Sequence, residues 1–243
     1  MRRLVTLPVE CRTMNILAIE TSCDRGTVAL FCDGVIVESE LDGVASHSEG
    51  VLSAIECLLV DAGLSLGKLD GVAFGSGPGA FTGLRLACGI AQGLALGAGI
   101  GVRAIVSLDA LALQASSQWV LAATDARLGE IYWRAYERDE GGVLRALGEP
   151  ACCKPADLVL PDGDWFGIGS AFAVHGDVLQ TRLGARLSGS CGTAVPRAAE
   201  IARLAARQMS DGDWVHPAQA APLYVRDKVA LTTAERLAAG GKA

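Results

Sequence analysis

Histidine is scarce in this chain, with three residues in 243, at His47, His175 and His216, and no two lie at ligand spacing. Cysteine occurs eight times but never as C-x-x-C, so neither a zinc cluster nor a redox dithiol motif is indicated. No block of Lys or Arg runs for five residues and the formal charge is −6, which argues against this chain gripping a nucleic acid by itself. Gly, Ser or a charged residue breaks the apolar runs short of the roughly 18 residues a membrane span needs, so no transmembrane helix is expected. The stretch behind Arg2 and Arg3 is interrupted by Thr6, Pro8 and Glu10 and lacks a signal-peptide core. A reduced, cytoplasmic protein is the expectation. In it Cys23, Cys32, Cys57 and Cys88 serve as small hydrophobes, and nothing beside Cys152 and Cys153 is arranged to activate a thiol.

What the chain does have is a hydrophobic fraction of 51%, enough for a sizeable core, and a regular alternation of strands and helices. Residues 15–20, 27–32 and 34–40 read as strands, with Asp33-Gly34 as a tight hairpin turn. A helix is expected over about 47–62, from a capping box at Ser46 and Glu49 to Gly63. A strand at 71–75, a glycine loop and a helix to about residue 97 follow. The second half opens in the same way: residues 120–125 echo 16–21, and 131–137 and 143–147 repeat the next two strands. Two copies of a β-β-β unit with helices attached point to a duplicated actin-like, Hsp70-like α/β fold, two subdomains of mixed sheet with a cleft between them. The expected limits are 14–105 and 106–195, with a helix over about 196–210 crossing back onto the first half and a tail at 213–243. Met14 begins the first periodic strand and is a reasonable translation start, so residues 1–13 read as an unstructured extension.

The most distinctive stretch is Gly75-Ser76-Gly77-Pro78-Gly79-Ala80-Phe81-Thr82-Gly83-Leu84-Arg85, between a strand and a helix that Thr82 is placed to open. It suits an anion at a helix N-terminus or a tight structural corner, and the residues alone leave both open. It matches neither the Gly-Lys-Ser/Thr nor the G-x-G-x-x-G pattern. Ser22 has no histidine in its motif to act as a base. On the first helix Val51, Leu52, Ile55, Leu58 and Leu59 form one apolar stripe, which faces a core or a partner. The second helix is small-sided, with Gly83, Gly89 and Gly93 among its glycines, and their cost of about 0.5–1 kcal/mol each suggests close packing against another backbone.

Gly77-Pro78-Gly79-Ala80-Phe81-Thr82-Gly83-Leu84-Arg85 resembles the GPGSFTGLR signature of the TsaB (YeaZ) family, non-catalytic paralogues of TsaD that act in threonylcarbamoyl modification of tRNA adenosine. Residues 14–22, the run from Asp125-Ala126-Arg127 to Glu130-Ile131-Tyr132, and Pro222-Leu223-Tyr224-Val225-Arg226 resemble further motifs of that family, in its order. The resemblance implies a scaffold for a TsaD-like catalytic paralogue, a TsaE-like ATPase in the same complex, tRNA contact only through that complex, and a homodimer when alone. It implies no cofactor of the chain's own, with ATP or ADP placed at the complex. TsaD holds its metal with two histidines four apart; here His47 is followed by Val51. The two N-terminal helices are the implied partner surface: His47, Val51, Leu52, Ile55, Leu58, Leu59, Gly83, Gly89 and Gly93. Glu20, Ser22, Gly77, Pro78, Gly79, Thr82, Arg85, Asp125 and Arg127 are the implied loop and polar contacts. Glu20-Thr21-Ser22-Cys23-Asp24 is closer to the opening motif of the catalytic paralogue. That leaves a second reading, a small ATPase or kinase using Glu20, Asp24 and Asp125 around a magnesium-bound phosphate.

Overall fold

A computed structural model describes residues 3–6, 14–41, 47–207 and 214–226. Six strands build the first sheet: β1 (Arg3–Thr6), β2 (Asn15–Glu20), β3 (Thr27–Cys32), β4 (Val35–Glu40), β5 (Gly71–Gly77) and β6 (Gly101–Val106), in the order β1-β4-β3-β2-β5-β6. The β3–β4 connection is the tight turn its sequence demands, with Asp33 and Gly34 at φ of 48° and 81°. Where the sequence suggests an unstructured extension, residues 3–6 instead pair antiparallel with β4. The short Leu4-Val5-Thr6 run has strand propensity, and β4 would otherwise be an open edge. The capping residue expected at Ser46 lies outside the described residues.

Alternation along β2 sends side chains to two cores. Leu17 and Ile19 face α1 (His47–Asp61) and α2 (Phe81–Ala98), whereas Ile16 and Ala18 face α6 (Ala198–Arg207). Helix α6 follows the second half in sequence but belongs to the first sheet because its first turn is satisfied there. Ala198 N donates to Thr27 Oγ1 at 2.7 Å, Ala199 N donates to the buried Glu38 carboxylate at 2.9 Å, and Arg197 pairs with the same carboxylate. Helix α2 is 18 residues long and apolar enough to cross a membrane by length and composition, which corrects the expectation of no such helix. Its Leu84, Ala87, Cys88, Ala91 and Ala95 are buried, and all but Leu84 belong to the core cluster shared with α1 and the first sheet, so one stripe of the helix serves the chain's own core.

The second sheet comprises β7 (Trp119–Asp125), β8 (Ile131–Arg138), β9 (Leu144–Ala146), β10 (Ala151–Cys153), β11 (Trp165–Ile168) and β12 (Leu187–Cys191). Its order β10-β8-β7-β11-β12, with β9 also on β8, repeats β4-β3-β2-β5-β6, including the antiparallel hairpin on one side of the central strand and parallel strands on the other. On it pack α3 (Ser107–Ala112) from one side, and α4 (Ala171–Val174) and α5 (Gly176–Leu183) from the other. The fold is therefore a duplicated mixed-sheet unit of the actin-like type.

Candidate functional site

The glycine loop closes against the first hairpin. Ala80 N donates to Ser22 O at 2.7 Å, Gly77 N to Ser107 Oγ at 3.2 Å, and Thr21 Oγ1 to Gly83 O at 2.7 Å. A Cβ at Gly83 would strike the Thr21 carbonyl oxygen, and one at Gly79 would sit 2.5 Å from Ser22 O. These glycines therefore serve a structural corner, the second of the two readings the residues allow. Thr82 does not open the helix: Ala80 holds the N-cap position, and Thr82 lies exposed as the second residue of α2.

Glu20 ends β2 and is wholly buried. Its carboxylate accepts from Ser22 N at 2.6 Å and Ser107 Oγ at 2.8 Å, and Gly75 leaves the space it fills. Burial pushes its pKa above 4.5, against the smaller lowering effect of those hydrogen bonds. It is thus spent on the β2–α3 junction, which corrects the reading of Glu20 as a magnesium-phosphate ligand. Ser22 is also buried, its backbone engaged on both sides, and Cys23 has its thiol pKa pushed up to about 12 by burial and the neighbouring Glu20. Neither is an activated nucleophile.

Across the cleft, Asp125 is held from three directions. His175 Nε2 lies 3.1 Å from Oδ1, Arg127 N donates to Oδ1 at 3.2 Å, and the Arg127 guanidinium lies 3.4 Å from Oδ2. Arg127 and Leu128 take φ of 61° and 56°, left-handed geometry rare for such side chains, and the Arg127 side chain is 77% exposed. His175 is a partner the sequence reading missed: it sits 50 residues from Asp125, at the α4–α5 junction, with no local signal. Among the described residues no three His, Cys, Asp or Glu groups converge to hold a metal ion.

Helix α1 divides the proposed partner stripe. Val51, Ile55, Leu58 and Leu59 lie in the chain's own core, Ile55 at 3% exposure, while Leu52 is 54% exposed. The first four are therefore core residues rather than contact residues, because the sheet beneath α1 takes the apolar stripe. His47 begins α1, and its side chain falls outside the described residues. On α2, Gly83 packs within the molecule, but a Cβ at Gly89 or Gly93 would meet nothing within 4 Å. The close neighbour these glycines suggest is not found among the described residues.

Asp125 and Arg127 line one cleft, whereas Arg85 does not line it and reaches it only through Phe81 and Tyr224. Arg85 stacks 3.9 Å from the Phe81 ring centroid and donates through Nε to Tyr224 OH at 3.1 Å, and Tyr224 packs on Phe81. A cavity of about 770 Å³ between the subdomains is walled by the glycine loop at Pro78–Phe81, the Asp125–Leu128 turn and the C-terminal Leu223–Arg226. Three motifs far apart in sequence therefore meet at one cleft.

The duplicated sheets with a cleft between them place the protein in the actin-like class. Against known families, residues 41–232 match the model described as TsaD, tRNA N6-adenosine threonylcarbamoyltransferase. The tRNA threonylcarbamoyladenosine biosynthesis protein TsaB of Escherichia coli K12 is 33% identical over 89% of this chain and 96% of its own length. Its Haemophilus influenzae counterpart is 31% identical over 90% and 96%. The solved structure of YeaZ from Pseudomonas aeruginosa superposes with a TM-score of 0.79 at 33% identity, over 87% of this chain and 99% of that one. The chain belongs to the TsaB (YeaZ) family.

Proposed function

We propose that this chain acts in threonylcarbamoyladenosine formation on tRNA as a non-catalytic scaffold that holds a TsaD-like paralogue in its working conformation. The observation that carries this reading is the position four residues after His47. A second metal-holding histidine would be needed there, and Val51 is instead fully buried in the chain's own core. The reading assigns no cofactor to this cleft, and it is supported by the fate of the acidic residues: Glu20 is buried in a hydrogen-bonded junction and Asp125 is held by His175 and Arg127.

The docking surface in this reading is the outer side of α1 and α2. Leu52 and Val60 on α1 and Leu96 on α2 are exposed, and Gly89 and Gly93 leave α2 bare for close approach. A TsaE-like ATPase joins the complex, and tRNA is met only there, consistent with a formal charge of −6. The cytoplasm is the place of action. Leu52→Asp is expected to weaken binding of the purified paralogue at least about ten-fold in titration calorimetry, the scale of losing one buried apolar anchor. Unaltered affinity in a well-folded variant would remove α1 from the docking surface.

A further inference from the structure

The C-terminal segment touches both halves of the molecule. Val215 exchanges backbone hydrogen bonds with Val102 at the edge of the first sheet, and Ala220 O accepts from Gln92 Nε2 on α2 at 3.0 Å. Leu223 N donates to Ser76 O at 2.8 Å, and Tyr224 lies on Phe81 with its hydroxyl on Arg85. Two residues later the chain is on the opposite wall of the cleft. Arg226 donates to Ala126 O at 3.1 Å, pairs with Glu130, and stands over the Tyr132 ring with Cys152 beside it.

The two ends of this crossing differ from a core contact. Phe81 and Tyr224 are each about half exposed, and the Arg226 attachment is a polar one, an ion pair and a carbonyl bond beside the Tyr132 ring and Cys152, rather than an apolar cluster. Part-buried polar contacts between two subdomains can release without unfolding the sheets on either side. We infer that Leu223–Arg226 is a clasp that sets the opening between the two subdomains, with the Phe81–Tyr224–Arg85 group as its anchor on α2 and Arg226–Glu130 as its latch. Through that anchor the second subdomain governs the order of the α2 N-terminus. Arg226 is a positioning residue in this scheme, since it acts on the cleft through Glu130 and Ala126.

The test is hydrogen exchange followed by mass spectrometry on the full chain, comparing wild type with Arg226→Ala, Glu130→Gln, the double variant and Arg226→Lys. Loss of a charge-assisted bond is expected to speed exchange about ten-fold or more at the Leu223 amide and over residues 77–85 and 125–131. Strands β2, β3 and β7 are expected to keep their wild-type protection. The double variant should be no faster than Arg226→Ala, because that change already removes the Glu130 pair along with the Ala126 bond, and Glu130→Gln and Arg226→Lys should fall between it and wild type. Unchanged exchange in those segments would overturn the clasp. So would an increase spread evenly through the strands in Glu130→Gln, which preserves side-chain size and guards against misfolding in Arg226→Ala. A second arm rests on the function proposed above: both single variants should bind the paralogue normally yet stimulate it less. If wild type neither binds nor stimulates, that function fails while the exchange result still decides the clasp.

Discussion

At the residue scale the most instructive group is Glu20. Its sequence context reads equally as a phosphate-site acid or a paralogue signature, and only the tertiary contacts with Ser107 and Gly75, 87 and 55 positions away, show that it is a buried joint. Two outcomes follow. Gly75→Ala should destabilise the chain by about 1–3 kcal/mol in denaturant unfolding, since a Cβ there collides with the Glu20 carboxylate. Because burial raises the folded pKa of Glu20 above 4.5, folding favours its protonated form. Its contribution to stability is full below the unfolded value and is lost as pH rises through the folded one. Glu20→Gln should therefore gain on wild type in unfolding free energy as pH is raised from the ordinary carboxylate range toward neutrality. A constant difference between the two across that range would mean that folding does not raise the pKa of Glu20.

At the element scale, local signals were readable and packing partners were not. Asp33-Gly34 marked its turn, the Ser46 and Glu49 capping box with Gly63 gave the limits of α1 to within a residue, and apolar spacing marked its stripe. That spacing cannot say whether a stripe meets its own sheet or another molecule, and here Val51, Ile55, Leu58 and Leu59 meet the sheet. Ile55→Asp is therefore expected to unfold the chain, whereas Leu52→Asp should leave its thermal midpoint nearly unchanged, as thermal denaturation of the two would show. The glycines of α2 separate stability from function. With nothing within 4 Å, Gly89→Ala and Gly93→Ala should each stabilise the isolated chain by about 0.5–1 kcal/mol. The same variants should weaken the paralogue complex if α2 is the approach face. Tighter or equal binding would place the docking surface elsewhere.

For the whole molecule, the duplication was legible because both halves spell the same strand pattern, and the observed strand orders repeat one another. A cleft between the halves was expected on the same ground, but its walls were not, since they come from residues near 80, 126 and 225, which periodicity cannot bring together. The edge strand β1 also escaped, because four residues carry too little pattern to read. Among the described residues no three His, Cys, Asp or Glu groups converge on a metal site, and in the proposed reading the surfaces of α1 and α2 and the setting of the cleft are the working parts. The most direct measurement is threonylcarbamoylation of tRNA by the purified TsaD-like paralogue from the same organism, with and without this chain. The account expects little product from the paralogue alone, recovery on adding the chain, and no magnesium-dependent ATP turnover by the chain itself. Full modification without it, or ATP turnover by the isolated chain, would contradict the scaffold role.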